Sequence, residues 1–310
     1  MSSAVSKPLQ SSGERMQGYA CLAAAMALVG STVVASKIIA AGLPPFTATA
    51  LRFALALPCF LLIMKLTGAS LPRLGARDWA LLTAQAAAGS VGYTVLLITG
   101  LQRASAVDAG IILGALPLVS AALAVTLLGE RPGRATLVAI AIATAGVWLT
   151  MASPAGPEGA SSLAGNALVL GAVCCEGLFI LLHKRLRTPV PPLALSTIMT
   201  AIGLAASALA SLLAEAPWTL ALPADAVLAV AYYALAPTVG GFLLWYAGAA
   251  RSNGAEAALF TAVAPVCAVL LAAGLLGEAL RTRQLAGMVC VLAAIALLGL
   301  SNRASARGPR

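Results

Sequence analysis

Glu176 is the one acidic residue that falls well inside an apolar run of this sequence. It lies thirteen residues into the run at 163–183, or roughly 20 Å at 1.5 Å per residue. A charged group at such a depth in hydrocarbon costs at least about 2.5–3.5 kcal/mol, so the side chain must face a helix bundle's interior or a cavity. The penalty falls on the charged form only, which makes Glu176 a candidate proton carrier. A protonated carboxyl hydrogen-bonded to a neighbouring helix is the other reading. Further polar groups sit in three other apolar runs: Ser31, Thr32 and Ser36 in the first, Gln85, Ser90, Tyr93 and Thr94 in the third, and Tyr232, Tyr233, Thr238 and Trp245 in the eighth. Tyr and Gln can hold an amino or carboxyl group while offering an apolar face, so Gln85, Tyr93, Tyr232, Tyr233 and Trp245 are candidate ligand contacts. Hydrogen bonding between helices would use the same groups, and Trp245 is near enough to a run's end to anchor at the interface. His183 is the only histidine and sits beside Lys184 and Arg185, where it is expected to be solvated. Lys37, Arg52, Glu130 and Glu278 fall near run ends, where snorkelling and pairing account for them.

Other chemistries lack their residues. There is no H-E-x-x-H, no G-x-S-x-G and no pair of intramembrane aspartates, so an intramembrane enzyme has no support. No P-loop is present, and no repeated ring of ligands suggests a channel filter. The six cysteines, Cys21, Cys59, Cys174, Cys175, Cys267 and Cys290, all lie in apolar runs without C-x-x-C spacing. They are expected to be small buried hydrophobes, with no disulfide framework, metal site or cofactor.

The elements that carry these residues follow from composition. Hydrophobic residues make up 61% and charged residues 9% of the 310, against roughly 25% charged in a soluble domain. Such a chain cannot cover itself with a wet surface. With about 20 residues per crossing, it accommodates ten helices, expected near 18–39, 46–66, 79–100, 106–128, 134–151, 163–183, 192–214, 225–247, 255–276 and 282–301. The runs are continuous rather than alternating, which excludes a membrane barrel. The first run is too long for a cleaved signal and has an internal counterpart, so it is expected to be retained. The net charge is +9, but its Lys and Arg occupy short loops without interleaved aromatics. That pattern points to lipid headgroups and topology rather than nucleic acid. With the N-terminus inside, 14 of the 19 basic residues fall on the inner side and five on the outer. Both termini are therefore expected in the cytoplasm of a multi-pass plasma (inner) membrane protein.

The two halves repeat at offsets of 147–148 residues. Gly30 and Lys37 match Gly177 and Lys184, Pro44-Pro45 matches Pro191-Pro192, Pro117 matches Pro265, and Leu127-Leu128-Gly129-Glu130 matches Leu275-Leu276-Gly277-Glu278. Five helices repeated once place the second copy upside down. Inverted repeats are a recurring secondary-transporter architecture, with the site between the halves near the midplane and at interrupted helices in corresponding places. Here the interruptions are Gly89 and Gly92 in the third run, Pro237, Gly240 and Gly241 in the eighth, and Pro117 and Pro265 in the fourth and ninth. Small-residue ladders, Ala106, Gly110 and Gly114 against Ala258 and Ala262, would let the fourth and ninth helices approach closely. Gly110, Pro117, Gly241 and Pro265 thus join the candidate cavity wall, beside the competing reading that they only shape the bundle.

Gly42-Leu43-Pro44-Pro45, Leu51-Arg52-Phe53, Leu128-Gly129-Glu130-Arg131 and Gly146-Val147, in this order and spacing, resemble the EamA-type domain of the drug/metabolite transporter superfamily. The second half carries a weaker copy, with Met199 at the position of Arg52. The resemblance covers nearly the whole chain. It implies an all-α integral membrane protein of ten transmembrane helices in two inverted five-helix repeats, at 18–151 and 163–301. Tails at 1–17 and 302–310 and a linker at 152–162 complete the chain. It also implies secondary export by alternating access of amino acids, aromatic or other neutral ones among them, or of related metabolites and drugs. Glu176 further resembles the buried glutamate of small multidrug resistance exporters, which likewise lies eight residues before a Lys in the first helix of its unit. Besides substrate and bilayer no partner is implied, and the chain is expected as a monomer. A sugar-phosphate or nucleotide-sugar transporter of the same superfamily is the alternative. It would need fixed cations in the cavity, and no Lys or Arg is expected deep in a span.

Overall fold

The computed structural model describes residues 12–129, 133–151, 162–252, 257 and 260–306. Glu130, Arg131, Ala258 and residues 152–161 of the linker lie outside the described residues, as do 1–11 and 307–310. The described residues are helical, without a strand. In chain order the helices are α1 (Ser12–Gly42), α2 (Pro45–Thr67), α3 (Ala76–Leu101), α4 (Ala106–Gly114), α5 (Leu116–Leu128), α6 (Arg134–Met151), α7 (Leu163–His183), α8 (Pro192–Ala214), α9 (Ala224–Ala250), α10 (Val263–Leu276) and α11 (Thr282–Ala306).

Among the described residues, eight helices are long and apolar enough to cross a bilayer, or nine if α4 and α5 form one span. The sequence predicts ten continuous crossings. Two differ: the fourth is split into α4 and α5, which meet at 49°, and the ninth is described as the 14-residue α10. The split has a local cause. Pro117 is the second residue of α5 and Pro265 the third of α10. In the first turn of a helix the missing proline N–H removes no hydrogen bond, so each proline begins a helix instead of kinking one. The outer helices are longer than predicted, with α1 beginning at Ser12 and α11 reaching Ala306.

The Leu-Gly-Glu motif also acquires a physical meaning. Gly129 and Gly277 end α5 and α10 at φ 65° and 67°, the left-handed conformation that stops a helix. Only glycine adopts it without steric cost.

Matched helices of the two halves pack against each other in opposite directions. Glu215, beyond the end of α8, reaches Phe46 and Thr47 at the start of α2, while Thr197 near the start of α8 reaches Met64 near the end of α2. Gly146, late in α6, lies against Gly287, early in α11. A Cβ on Gly110 of α4 would stand 2.8 Å from Ala268 of α10, and one on Gly114 would stand 2.8 Å from Pro265. Gly110 and Gly114 thus let α4 approach α10 closely, against Ala268 and Pro265 rather than Ala262. Antiparallel counterparts are what an inverted repeat requires.

Half-buried carboxylates fasten one end of this bundle. Glu215 accepts the N–H groups of Phe46 (2.9 Å) and Thr47 (2.7 Å). Glu278 accepts those of Ala106 and Val107, both at 2.9 Å. Each satisfies orphan donors at a helix N-terminus and complements its dipole. Lys37 donates to the carbonyls of Leu101 (2.8 Å) and Ala104 (2.6 Å) and lies in the field of Glu278. Asp108, fully buried, accepts from Gln284 (2.7 Å) and Asn166 (3.4 Å). At the opposite end Asp78 accepts the N–H groups of Arg187 and Thr188, both at 3.2 Å.

Candidate functional site

A cavity of about 570 Å³ opens between the halves, walled by α1, α3, α4, α5, α7, α9, α10 and α11. Its lining reaches Met26 on α1, Trp245 late in α9, Thr261 just before α10 and Gly299 late in α11. These positions lie away from the end fastened by Lys37, Glu215 and Glu278. The cavity therefore belongs to the middle of the bundle and to the end where α1 begins, where Gly18 meets Arg251.

Two wide turns shape its wall. α3 passes through a π-helical turn at Ala86–Gly92, and α9 through one at Ala234–Gly240, an offset of 148. In α9 the cause is Pro237, which cannot donate to the carbonyl of Tyr233 four residues earlier. The Thr238 hydroxyl donates to that carbonyl instead, at 2.8 Å. In α3 the absent side chains of Gly89 and Gly92 admit Phe179 and Cys175 of α7. π-turns of this kind collect at functional sites. Tyr93 follows the first turn, Tyr233 precedes the second, and both line the cavity.

Glu176, Gly110, Pro117, Trp245 and Pro265 line it with them. Glu176 makes no hydrogen bond or ion pair with any described residue. Among the described residues, the charge that acts on it is that of Arg52. Three of the candidate residues stand elsewhere. Gln85 is fully buried and donates to the carbonyl of Phe179 at 3.0 Å, with its Oε1 unpartnered. Tyr232 is 42% exposed and bonds Ser31 across helices at 2.7 Å. Gly241 is buried, and a Cβ added there would meet only ordinary contacts at 3.9 Å. Helix-to-helix hydrogen bonding describes the first two, and the third directly follows the π-turn of α9.

The structure corrects the reading of Arg52. It does not snorkel from a span end: it is 8% exposed, seven residues into α2, or about 10 Å along the helix. Its guanidinium sits over the rings of Phe53 (4.3 Å) and Tyr233 (4.5 Å), and its Nε has no hydrogen-bond partner. Its field reaches Tyr93 as well as Glu176. A cation thus does stand deep in a span, contrary to what the sequence leads one to expect. The sequence signal was its distance from Pro45. Ser120 was likewise missed: it lines the cavity with an unpartnered Oγ.

Repeat symmetry shows which groups are special. At the offset of 147, Glu176 matches Val29 and Arg52 matches Met199; at 148, Tyr93 matches Gly241 and Tyr233 matches Gln85. The backbone is duplicated, whereas the ionisable side chains at the cavity are not.

Comparison with known proteins agrees with this architecture. The EamA-like transporter family matches twice, over residues 16–152 and 163–300. The chain belongs to this family. Two relatives from Bacillus subtilis (strain 168) are similar over most of their length. The uncharacterized transporter YetK is 32% identical over 285 residues, covering 91% of this chain and 86% of its own. The uncharacterized transporter YyaM is 26% identical over 269 residues, covering 85% and 87%. A crystal structure 22% identical in sequence aligns with a TM-score of 0.64 over 95% of this chain and 99% of its own, which supports the fold. As an EamA-like transporter with two family repeats, the protein is a multi-pass membrane protein whose central cavity lies between those repeats. Among the described residues no group of His, Cys, Asp and Glu could hold a metal ion.

Proposed function

We propose that this EamA-like transporter is a secondary exporter of small amphiphilic metabolites, with neutral and aromatic amino acids as its preferred class. In this reading it has ten spans, both termini lie in the cytoplasm of the plasma membrane, and the cavity alternates between the two sides. The observation that carries the reading is the unpaired carboxyl of Glu176 on the wall of a largely apolar cavity. An apolar wall suits an aromatic or aliphatic side chain, and Tyr93, Tyr233, Trp245 and Ser120 supply directional contacts. Glu176 alternates between binding a proton and binding the substrate's ammonium group, which couples export to the proton gradient.

The test is flux through the purified protein in liposomes, with a panel of amino acids, with and without a pH gradient. Wild type is expected to accumulate at least one neutral amino acid when the gradient is imposed. Glu176→Gln copies a protonated carboxyl in shape, so it should keep the fold and lose gradient-driven accumulation. Superimposable profiles of flux against pH for wild type and Glu176→Gln would reduce Glu176 to a packing residue and leave facilitated diffusion.

A further inference from the structure

Arg52 is a charge without a polar partner among the described residues. It is more than nine-tenths buried, forms no ion pair and donates no hydrogen bond to a described residue. A membrane-buried cation is costly, by about 2.5–3.5 kcal/mol on insertion scales. The two aromatic contacts offset part of this, at about 0.5–2 kcal/mol each. They engage the face of the guanidinium and leave its edge, a planar fork of five N–H donors, without acceptors. That fork has the geometry of a carboxylate partner.

The scaffold does not demand the charge. Met199 takes the matching place on α8 and is itself buried, so an apolar side chain serves at this point of the repeat. Nor is Arg52 explained as the fixed partner of Glu176: the two act on each other through space without forming an ion pair. What joins them is Tyr233, whose ring carries the guanidinium and also lines the cavity.

We propose that Arg52 is the specificity-determining residue that recognises the anionic pole of the substrate, binding its carboxylate while Glu176 holds its ammonium group. This deepens, and rests on, the reading of the cavity as an amino-acid site. The site then selects zwitterions by a separated cation and anion, one supplied by each repeat. Carboxylate capture moves the guanidinium edge past the Tyr233 ring, so Tyr233 acts as the threshold between the cavity and Arg52.

The experiment compares phenylalanine, phenethylamine and 3-phenylpropionate, which share the ring and differ in their charged groups. Binding to the full chain in detergent is read by ligand-dependent thermal stabilisation, and flux is read in liposomes. Wild type is expected to bind phenylalanine more tightly than phenethylamine, and Arg52→Gln to weaken phenylalanine about 10–100-fold, the scale of a lost charge-assisted pair. Phenethylamine should be unchanged. Arg52→Met, which copies the side chain found at Met199, should behave alike if Gln impairs folding, and Arg52→Lys should recover part of the discrimination. Equal binding of phenylalanine and phenethylamine by wild type would overturn the assignment. So would a preference that survives in both Arg52→Gln and Arg52→Met, or equal weakening of both compounds by these variants. Phenylalanine that binds with Arg52-dependent affinity but is never moved across the membrane would instead overturn the transport reading and leave Arg52 as the carboxylate-binding residue.

Discussion

Replacing Glu278 removes the acceptor of the first two amides of α4, which Ser105, capping Asp108, does not serve. Its two carboxylate oxygens accept the N–H groups of Ala106 and Val107 at 2.9 Å, and its charge faces the positive end of α4. A hydrogen bond to a charged group contributes about 1.5–3 kcal/mol. Glu278 is only half-buried, so water replaces part of this, and Glu278→Ala is expected to cost about 2–4 kcal/mol in all. Using about 2–4 °C per kcal/mol, Tm in detergent should fall by about 4–16 °C. Glu278→Gln keeps an acceptor without the charge and should lose about half as much. Lys37 lies in the field of Glu278 and caps the carbonyls on the other side of the same turn. A double-mutant cycle of Lys37→Met with Glu278→Ala should therefore show coupling of about 0.5–1 kcal/mol. The assay is thermal unfolding followed by intrinsic fluorescence. A Glu278→Ala midpoint within about 1 °C of wild type would refute the capping argument, and strict additivity would refute the link to Lys37.

Two glycines on the same bundle should respond oppositely to alanine. A Cβ on Gly30 would stand 2.9 Å from that of Cys267 and 3.0 Å from the Ala268 amide, whereas one on Gly241 has 3.9 Å of room. Gly30→Ala should force α1 away from α10 and cut flux at least about tenfold, while Gly241→Ala should transport within about twofold of wild type; equal behaviour in the flux assay would contradict the packing described. Both termini should be cytoplasmic, given 14 basic residues on one side against five on the other. A reporter fused after Arg310 that is active only outside the cytoplasm would reverse the assignment.

The residues announced the architecture more readily than the site. Continuous apolar runs fix helices, because hydrocarbon forbids unpaired backbone, and the repeated Leu-Gly-Glu marked two helix ends that the structure terminates at left-handed glycines. The proline pair marked the break near Gly114, although the break lies before Pro117 and the proline begins the next helix. Glu176 was legible because charge in an apolar run is expensive wherever it points. Arg52 was not, since a helix near its end can present a residue outward to water or inward to the bundle. That choice depends on packing against α8 and α9, which spacing along one chain does not encode. Gln85 and Tyr232 stand off the cavity lining for a related reason: a polar side chain in a span needs a partner, and a carbonyl or a serine on the next helix serves as well as a substrate.

The carboxylate caps carry a consequence for how the molecule is made. The amides of Phe46 and Thr47 wait for Glu215, about 169 residues later in the chain, and that of Ala106 waits for Glu278, 172 residues later. While the ribosome is still threading the second half, these first amides of α2 and α4 lack their carboxylate acceptors and must be served by water at the membrane surface, even though Ser105 already accepts the Asp108 N–H of α4. The first half is therefore inserted before it is finished. Its helices cross the bilayer early, but their ends are locked only when the last third of the chain has been delivered. Truncation late in the gene would thus loosen helices encoded near its beginning, and quality control acting on half-made chains would meet exposed helix ends rather than exposed core.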